Sequence, residues 1–180
     1  IEKWINDAKA DWYDRLLTDL LDSPHYGERW GRHWLDVAGY ADSEGYSTQD
    51  SERAWAWKYR DWVIRALNQD MPFDQFVAQQ LAGDELAGPI NGDLTPKQID
   101  LFSATGFLRM AADGTGSGAN NPEGRNQVIA DTLKIVGTSL LGLSLQCAQC
   151  HDHRYDPIPH TDYFAIRAVF EPALDWKSWK

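Results

Sequence analysis

Apolar side chains recur along most of the chain with the period of an α-helix. The predicted helices cover residues 4–21, 24–41, 53–68, 73–81, 95–108, 121–146 and 161–170. Ser23 and Pro24 suit the N-cap and the first position of the second helix, and Thr95 with Gln98 forms a capping-box sequence before the fifth. The pattern therefore predicts a mostly α-helical, irregular single domain.

Two of these helices bring chemically active residues into the fold. The second places His33 on its apolar stripe with Trp30 and Trp34, so His33 is expected on the buried face among aromatic side chains. The last long helix is apolar on more than one face, which predicts a central position in the core. We expect it to carry Cys147 and the residues that follow at its C-terminal end.

Two polar stretches are predicted to be loops. Residues 42–52 are acidic and could offer carboxylates to calcium, but their spacing matches no EF-hand loop, which favours a solvated turn. Residues 111–118 are rich in glycine. Because no strand precedes this run, it is predicted to be a flexible surface loop or lid rather than a phosphate cradle.

Cys147 and Cys150 are the only two cysteines of the 180 residues, and His151 follows them directly. The spacing C-x-x-C-H is the one at which proteins are attached to haem c. Two thiols one helical turn apart can form thioethers with the two vinyl groups of one porphyrin, while the adjacent imidazole becomes the proximal ligand of the iron. The motif therefore predicts one covalently attached haem c.

Three other structures could use the same motif. A thioredoxin-like dithiol requires the cysteines beside a strand of a βαβ unit, whereas a predicted helix precedes them here. A structural zinc site could combine both cysteines with two of His151, His153 and His160, although the histidine spacing is not that of a zinc finger. The cysteines could also form a strained disulfide or remain free thiols.

Composition narrows the classes of function. The formal net charge is −10 and the 17 basic residues are scattered, which argues against nucleic-acid binding because that function needs a basic surface. No stretch approaches about 18 consecutive apolar residues, so no transmembrane segment is predicted. The nine tryptophans suit contact with a flat macrocycle, and they suit a tight core equally well.

Several longer strings are similar to those of a known family. They resemble the planctomycete cytochrome-like domain, a family of unknown function that lies in large exported proteins beside planctomycete cytochrome c domains. The strings span nearly the whole chain and occur at residues 23–36 (SPHYGERWGRHWLD), 40–43 (YADS), 60–63 (RDWV), 71–74 (MPFD), 104–109 (ATGFLR), 147–153 (CAQCHDH) and 156–158 (DPI).

The resemblance implies an extracytoplasmic c-type haem domain. It assigns the haem motif to Cys147, Cys150 and His151, and it adds His33 as the histidine of the string R-H-W-L-D. His153 also lies in a family string, where a hydrogen bond to a haem propionate or a place in the outer ligand shell suits it. Covalent haem attachment takes place outside the cytoplasm in bacteria, so we expect the full-length protein to be exported.

The start of the chain and the position of the motif give two further expectations. The chain begins without a methionine or a signal sequence, so residues 1–180 are expected to be a single haem domain excised from a larger exported multidomain protein. The motif lies near the C-terminus rather than the N-terminus. The fold around the haem is therefore expected to differ from that of the small cytochromes c.

Two functions are open to such a haem domain. The first is electron transfer through one six-coordinate haem, with a redox protein or a neighbouring haem domain as partner. His33 is then the expected distal ligand, with Met110 the second choice and Met71 the third. In the second function the sixth position is open or displaceable, a small ligand or oxidisable substrate binds there, and His33 acts as an acid or base. A zinc-stabilised interaction module is the non-haem alternative.

Three arginines are candidates for ion pairs with the haem propionates. Arg154 follows the motif closely in sequence, whereas Arg109 and Arg29 belong to other strings. Exposed arginines are common in any protein, so the structural position of each decides whether the pairing is feasible.

Overall fold

Helices account for most of the chain in the computed structural model, which describes residues 2–7, 9–45, 50–114 and 121–174. In these residues the α-helices are α1 Glu2–Ile5, α2 Trp12–Leu21, α3 His25–Ala38, α4 Ala56–Asn68, α5 Phe73–Ala87, α6 Pro96–Ala104, α7 Pro122–Val136 and α8 His160–Phe170. Shorter 3₁₀ turns cover Thr105–Arg109, Leu145–Gln149 and Pro172–Leu174, and a π turn covers Gly137–Leu141. Ser43 and Glu52 form an isolated antiparallel bridge, and this part of the chain contains no β-strand. The predicted mostly α-helical single domain is confirmed.

The larger of two apolar clusters lies between α3, α4, α5 and the turn after α6. Gln80 is fully buried in it, at 0 % exposed, and its Oε1 accepts hydrogen bonds from the Tyr59 hydroxyl (2.6 Å) and from Trp34 Nε1 (2.9 Å). Its Nε2 donates to the carbonyl oxygen of Phe76 (2.9 Å). Burial raises the pKa of Tyr59, which keeps its hydroxyl a donor. A satisfied polar network of this kind fixes the packing of α3, α4 and α5.

A second apolar cluster joins α7 and α8 to the 3₁₀ turn between them. Every buried member is at most 2 % exposed. These members are Ile129 and Leu133 of α7, Ala148 of the turn, Tyr163 of α8, and Leu174 near the end of the described chain. The turn that carries the cysteines therefore rests on a core of its own.

The prediction of one continuous helix over residues 4–21 is wrong, because the structure divides this segment into α1 and α2. Asp7 lies at the break, where its carboxylate accepts hydrogen bonds from the backbone N–H of Lys9 (3.0 Å) and from Arg15 Nη2 (2.6 Å). An aspartate side chain that satisfies a nearby backbone N–H competes with the helix for it. No described residue of α1 or α2 is buried, and Ala8 lies outside the described residues.

Helix α5 is longer than the sequence indicated. It continues beyond residue 81, where the predicted helix ends, and reaches Ala87, with one non-helical residue at Ala82 (φ −141°, ψ 28°). A Cβ atom at Gly83 would lie 2.3 Å from the carbonyl oxygen of Leu101, so glycine allows α5 and α6 to approach closely. Gly83 therefore acts as a packing residue rather than as a helix terminator.

The last long helix ends earlier than predicted. Helix α7 stops at Val136, and the following π turn ends at Gly142 in the left-handed conformation (φ +65°). The chain then folds back, since the N–H of Leu143 donates to the carbonyl oxygen of Gly137 (3.0 Å). A Cβ atom at Gly137 would lie 2.8 Å from Cγ of Leu145. Cys147 therefore lies in a separate 3₁₀ turn that packs beside α7, with Cys150 and His151 directly after it, instead of in the C-terminal turn of the helix.

Other local predictions agree with the structure. Thr95 Oγ1 accepts from the N–H of Gln98 (3.3 Å) and Gln98 Oε1 accepts from the N–H of Thr95 (3.0 Å), which is the predicted capping box of α6. Helices α4 and α8 lie close to their predicted positions. None of the described helices is long and apolar enough to cross a membrane.

Candidate functional site

Residues 144–160, here called the motif loop, present the cysteines on the surface. Ala148 is 0 % exposed in the second apolar cluster, whereas Cys147 and Cys150 on either side of it are exposed free thiols. The N–H of Cys147 donates to the carbonyl oxygen of Ser144 (3.0 Å), which closes the 3₁₀ turn. Ala148 and Leu145, which is 6 % exposed, thus anchor the turn, and both cysteines are exposed.

His153 holds the two ends of this turn together. Its Nε2 lies 3.0 Å from Ser144 Oγ, and its Nδ1 lies 2.9 Å from the backbone nitrogen of Asp156 and 3.3 Å from that of Tyr155. Because a backbone N–H only donates, Nδ1 accepts, and the proton of the neutral ring lies on Nε2. The side chain is 4 % exposed. Both ring nitrogens are engaged inside the motif loop, so a bond from His153 to a haem propionate would require this loop to rearrange.

A second set of hydrogen bonds ties the motif loop to the start of α8. His160 Nε2 donates to the carbonyl oxygen of Gln149 (2.9 Å), and the backbone N–H of His160 donates to Asp152 Oδ1 (2.7 Å). The N–H of His153 donates to the carbonyl oxygen of Ile158 (2.9 Å). These bonds hold the motif loop in a defined, folded conformation instead of an extended one.

The ring of His151 is oriented by the backbone and remains accessible. Its Nδ1 lies 2.7 Å from the carbonyl oxygen of Asp152, which can only accept, so Nδ1 carries the proton. Nε2 of the neutral ring therefore keeps its lone pair, and the residue is exposed. Metal-ligating histidines commonly have this arrangement, with one ring N–H bound to a carbonyl and the other nitrogen free.

Tyr163 lies in the cluster beneath the turn. It is 0 % exposed, and burial raises the pKa of its hydroxyl, while the positive charge of Arg167 opposes that rise and a charge on Cys150 adds to it. The phenol is therefore neutral at physiological pH. It therefore places an uncharged group beneath the turn, on the side of Cys150.

The donor groups of the motif loop fit a covalently bound haem. Two exposed thiols and one imidazole with a free Nε2 are the groups that haem c attachment uses. Gln146, directly before the first cysteine, has a buried Oε1 with no hydrogen-bond partner among the described residues. An unsatisfied buried acceptor marks a place where water or a bound group completes the hydrogen bonding.

The structure describes the surroundings that the other interpretations of the motif would need. Among the described residues, those of the motif loop and of the acidic loop included, no three His, Cys, Asp or Glu side chains lie together in a way that could hold a metal ion. Residues 46–49 of that loop lie outside the described residues. The thiols form no disulfide, and no strand precedes them in the described chain, as a thioredoxin-like site requires.

His33 lies on the exposed side of α3, so its predicted place on the buried face is wrong. At about 100° per residue, its side chain points roughly 155° away from the centre of the buried face. Its ring lies next to exposed Trp30, with 5.4 Å between the ring centroids. The buried residues of α3 are Gly27, Gly31, Leu35 and Ala38. Gly27 and Gly31 allow the close approach to α4, and of the aromatic side chains Trp34 reaches α4, because its Nε1 donates to the Tyr59 hydroxyl (2.9 Å).

The surroundings of His33 differ from those of the motif loop. His33 opens onto a surface cavity of about 500 Å³, and none of the described residues in its walls belongs to the motif loop. The Tyr40 hydroxyl at this cavity donates to Asp42 Oδ1 (2.6 Å), and burial together with that carboxylate raises the pKa of Tyr40 to about 12. The walls are formed by Arg32, His33, Leu35, Asp36, Tyr40 and Arg60.

The remaining predicted site residues are dispersed. Met110 is 5 % exposed in the larger apolar cluster, and Met71 packs against the same cluster. Arg29 is exposed on α3. Arg154 is exposed in the motif loop, where its guanidinium carbon lies 5.7 Å from the ring centroid of Tyr155. Of the three candidate arginines, Arg154 is the one in the motif loop.

A group of charged residues that includes Arg109 lines a cavity of about 600 Å³ between α4 and α6, although the sequence did not indicate that these residues would lie together. Arg109 Nη2 donates to Asp113 Oδ2 (3.1 Å), and Arg53 Nη2 donates to the carbonyl oxygen of Ala111 (2.6 Å). Burial lowers the pKa of both arginines, and the charge of Asp113 opposes this. Arg109 therefore lies at a cavity whose described walls include no residue of the motif loop.

The sequence offered little signal for this cavity. Arg53 and Asp113 lie outside the helices, where periodicity gives no information. The glycine-rich run, predicted to be a flexible surface loop or lid, extends beyond Gly114 into residues 115–118, which lie outside the described residues.

A comparison with protein families gives one match. A family model matches residues 1–174, and the family is described as "PSCyt2: Protein of unknown function (DUF1549)". The chain matches no curated protein and no solved structure. The motif loop is therefore the part of the molecule that bears on the biochemical role.

Proposed function

The chain belongs to the PSCyt2 family (DUF1549), a family of unknown function, and we propose that it is a c-type haem domain that transfers electrons outside the cytoplasm. Cys147 and Cys150 hold one haem c covalently, and His151 is the proximal ligand of its iron. The relation to planctomycete cytochrome-like proteins is part of this proposal.

The orientation of His151 is the observation that carries the proposal. Its Nδ1–H is bound to the carbonyl oxygen of Asp152 at 2.7 Å, which leaves the lone pair of Nε2 accessible in the same loop as two exposed thiols. Bonds within the motif loop, such as that between His153 and Ser144, hold this turn. The three groups are thus arranged before any cofactor is attached.

Covalent attachment of the haem to the two thiols requires no additional oxidant. Each thiol adds across one vinyl group of the porphyrin, so that a sulfur–carbon bond forms and the thiol hydrogen is transferred to the neighbouring vinyl carbon. The iron of the attached group accepts and donates one electron as it alternates between its ferric and ferrous states. Ala148 positions the two thiols for this addition because it is fixed in the core between them.

The position of the motif loop and the charge of the chain suit exchange with another redox protein. Cys147, Cys150 and His151 are all exposed, so a haem attached there would lie at the surface within reach of a partner. The formal net charge of −10 favours a basic partner protein or a neighbouring haem domain with a basic face. Because bacteria attach haem c outside the cytoplasm, we propose an exported protein.

The test is to produce residues 1–180 in a bacterial host that secretes the domain and carries a haem c maturation system. We expect a coloured protein, a pyridine haemochrome spectrum of the c type, and an intact mass increased by one haem. Cys147→Ser with Cys150→Ser should abolish covalent haem, whereas either single substitution should leave one thioether and shift the haemochrome band.

His25→Ala is the matched control, since His25 lies on α3 and pairs with Glu28 outside the motif loop. This variant should incorporate haem as the unmodified domain does. A colourless secreted domain, or one whose cysteines hold zinc instead, would overturn the proposal. Unchanged covalent haem in the double cysteine variant would overturn it as well.

A further inference from the structure

Histidine and methionine are the protein side chains that most often complete the coordination of a c-type haem iron. The chain contains five histidines and two methionines, and all of them lie in the described residues. If His151 is the proximal ligand, six side chains remain as candidates for the sixth position. These are His25, His33, His153, His160, Met71 and Met110.

Both methionines are packing residues. Met110 is 5 % exposed in the larger apolar cluster, and Met71 packs against that cluster. Ala148, which anchors the motif, belongs to the other cluster, together with Tyr163. A methionine could reach a haem at the motif loop only by leaving the core.

The two histidines of α3 are exposed. His33 points roughly 155° from the buried side of its helix, and the described walls of its cavity include no residue of the motif loop. His25 is in the first turn of α3, where its Nδ1 lies 2.8 Å from Glu28 Oε2. The structure gives neither of them a contact with the motif loop.

The other two histidines are used inside the motif loop. Nδ1 of His153 accepts backbone hydrogen bonds and its Nε2 is bound to Ser144 Oγ. His153 also follows His151 by two residues, which is too close in sequence to reach the opposite face of the same haem. Nε2 of His160 donates to the carbonyl oxygen of Gln149, and its ring packs edge-on against Phe164 at 4.8 Å between centroids.

We infer that the chain supplies no sixth ligand to the haem on its motif loop, so that this position binds small exogenous ligands of iron such as cyanide, azide or imidazole. The inference rests on the proposed haem function and deepens it, since it gives that haem a ligand-binding site. It follows from the six alternative side chains, each of which is placed elsewhere by packing or hydrogen bonds. Because Cys147, Cys150 and His151 are exposed, a haem attached to them would be accessible to small molecules.

The experiment uses the haem-loaded, secreted domain in its ferric form. We expect an optical and electron paramagnetic resonance spectrum of high-spin iron, and conversion to low-spin iron when cyanide, azide or imidazole is titrated. His33→Ala and Met110→Leu should give the same spectrum as the unmodified domain, with cyanide dissociation constants within about twofold of its value. The volume-conserving Met110→Leu change keeps the core filled.

Three results would overturn the inference while leaving the haem proposal intact. The first is low-spin iron that resists cyanide, and the second is a change of spin state caused by His33→Ala or Met110→Leu. The third is low-spin iron that becomes high-spin on dilution, which would mean that a second copy supplies the ligand. Failure to incorporate covalent haem would overturn the proposed function and this inference together, and the haemochrome assay detects that case separately.

Discussion

The Nε2 of His153 and the hydroxyl of Ser144 lie 3.0 Å apart and join the two ends of the turn that displays the cysteines. The Nδ1 on the other side of the ring accepts a hydrogen bond from the backbone N–H of Asp156 (2.9 Å). One buried imidazole thus links the chain before Cys147 to the chain after His151. The motif loop keeps its shape through this residue and not through contact between the cysteines.

Replacing His153 by alanine should therefore loosen the motif loop. The substitution leaves the backbone N–H of Asp156 and the hydroxyl of Ser144 without their partner, and each unsatisfied buried group costs about 1–3 kcal/mol. We expect a loss of that size in the free energy of unfolding, measured by urea denaturation, and faster proteolysis within residues 144–160. His25→Ala, which removes an exposed histidine, should change neither quantity. Equal stability of both variants would contradict this role for His153.

Enlarging Ala148 tests whether the turn is anchored in the second cluster. Ala148 is 0 % exposed, so Ala148→Leu must displace neighbours such as Tyr163, and overpacking of this kind costs about 1–3 kcal/mol. We expect the midpoint of urea unfolding to fall and covalent haem incorporation to decrease. Ala165→Leu makes the same change at an exposed position of α8 and should have little effect. If both variants unfold alike, the turn is not held by its central alanine.

Local sequence signals predicted local structure well. Thr95 and Gln98 form their capping box, and the C-terminal helix begins within one residue of its predicted start. These features depend on a few neighbouring residues, whose preferences the sequence contains directly. The all-helical class was predictable for the same reason.

Features that depend on contacts distant in sequence were not predictable. The apolar stripe of α3 pointed to Trp30 and His33 as buried, but the helix packs through Gly27 and Gly31. Apolar periodicity gives most weight to large side chains, whereas close helix packing selects small ones. Likewise, the early end of α7 depends on the return of Leu145 over Gly137, which no local signal shows. The candidate site was therefore found in sequence, while the surroundings of His33 were not.

Two glycines one turn apart on α3 should respond to alanine in opposite directions. A Cβ atom at Gly27 would lie 2.3 Å from the carbonyl oxygen of Ile64, so Gly27→Ala must separate α3 from α4, at a cost of about 1–3 kcal/mol. At Gly31 the nearest atom, Cγ1 of Ile64, would lie 3.4 Å away, and Gly31→Ala should stabilise the domain by up to about 1 kcal/mol because alanine favours the helix. Thermal unfolding of the two variants measures both effects. Two changes of the same sign would contradict the helix contact described here.

Ionisation of Tyr40 should lower the stability of the domain in alkaline solution. Burial and the nearby Asp42 carboxylate raise the pKa of Tyr40 to about 12, above its value of about 10 in an unfolded chain. The folded state therefore holds the phenol proton more tightly, and the stability that results is complete below pH of about 10 and is lost as the pH rises towards 12. Urea unfolding at several pH values should show a smaller alkaline loss for Tyr40→Phe than for the unmodified domain. Asp42→Asn removes the carboxylate that accepts the hydroxyl proton at 2.6 Å, so it should lower the pKa of Tyr40 and begin the loss at lower pH. The tyrosinate absorbance titration, taken as the difference between the unmodified domain and Tyr40→Phe, measures that pKa directly. An unchanged alkaline slope in Tyr40→Phe would mean that this tyrosine ionises equally easily in the folded and unfolded chains.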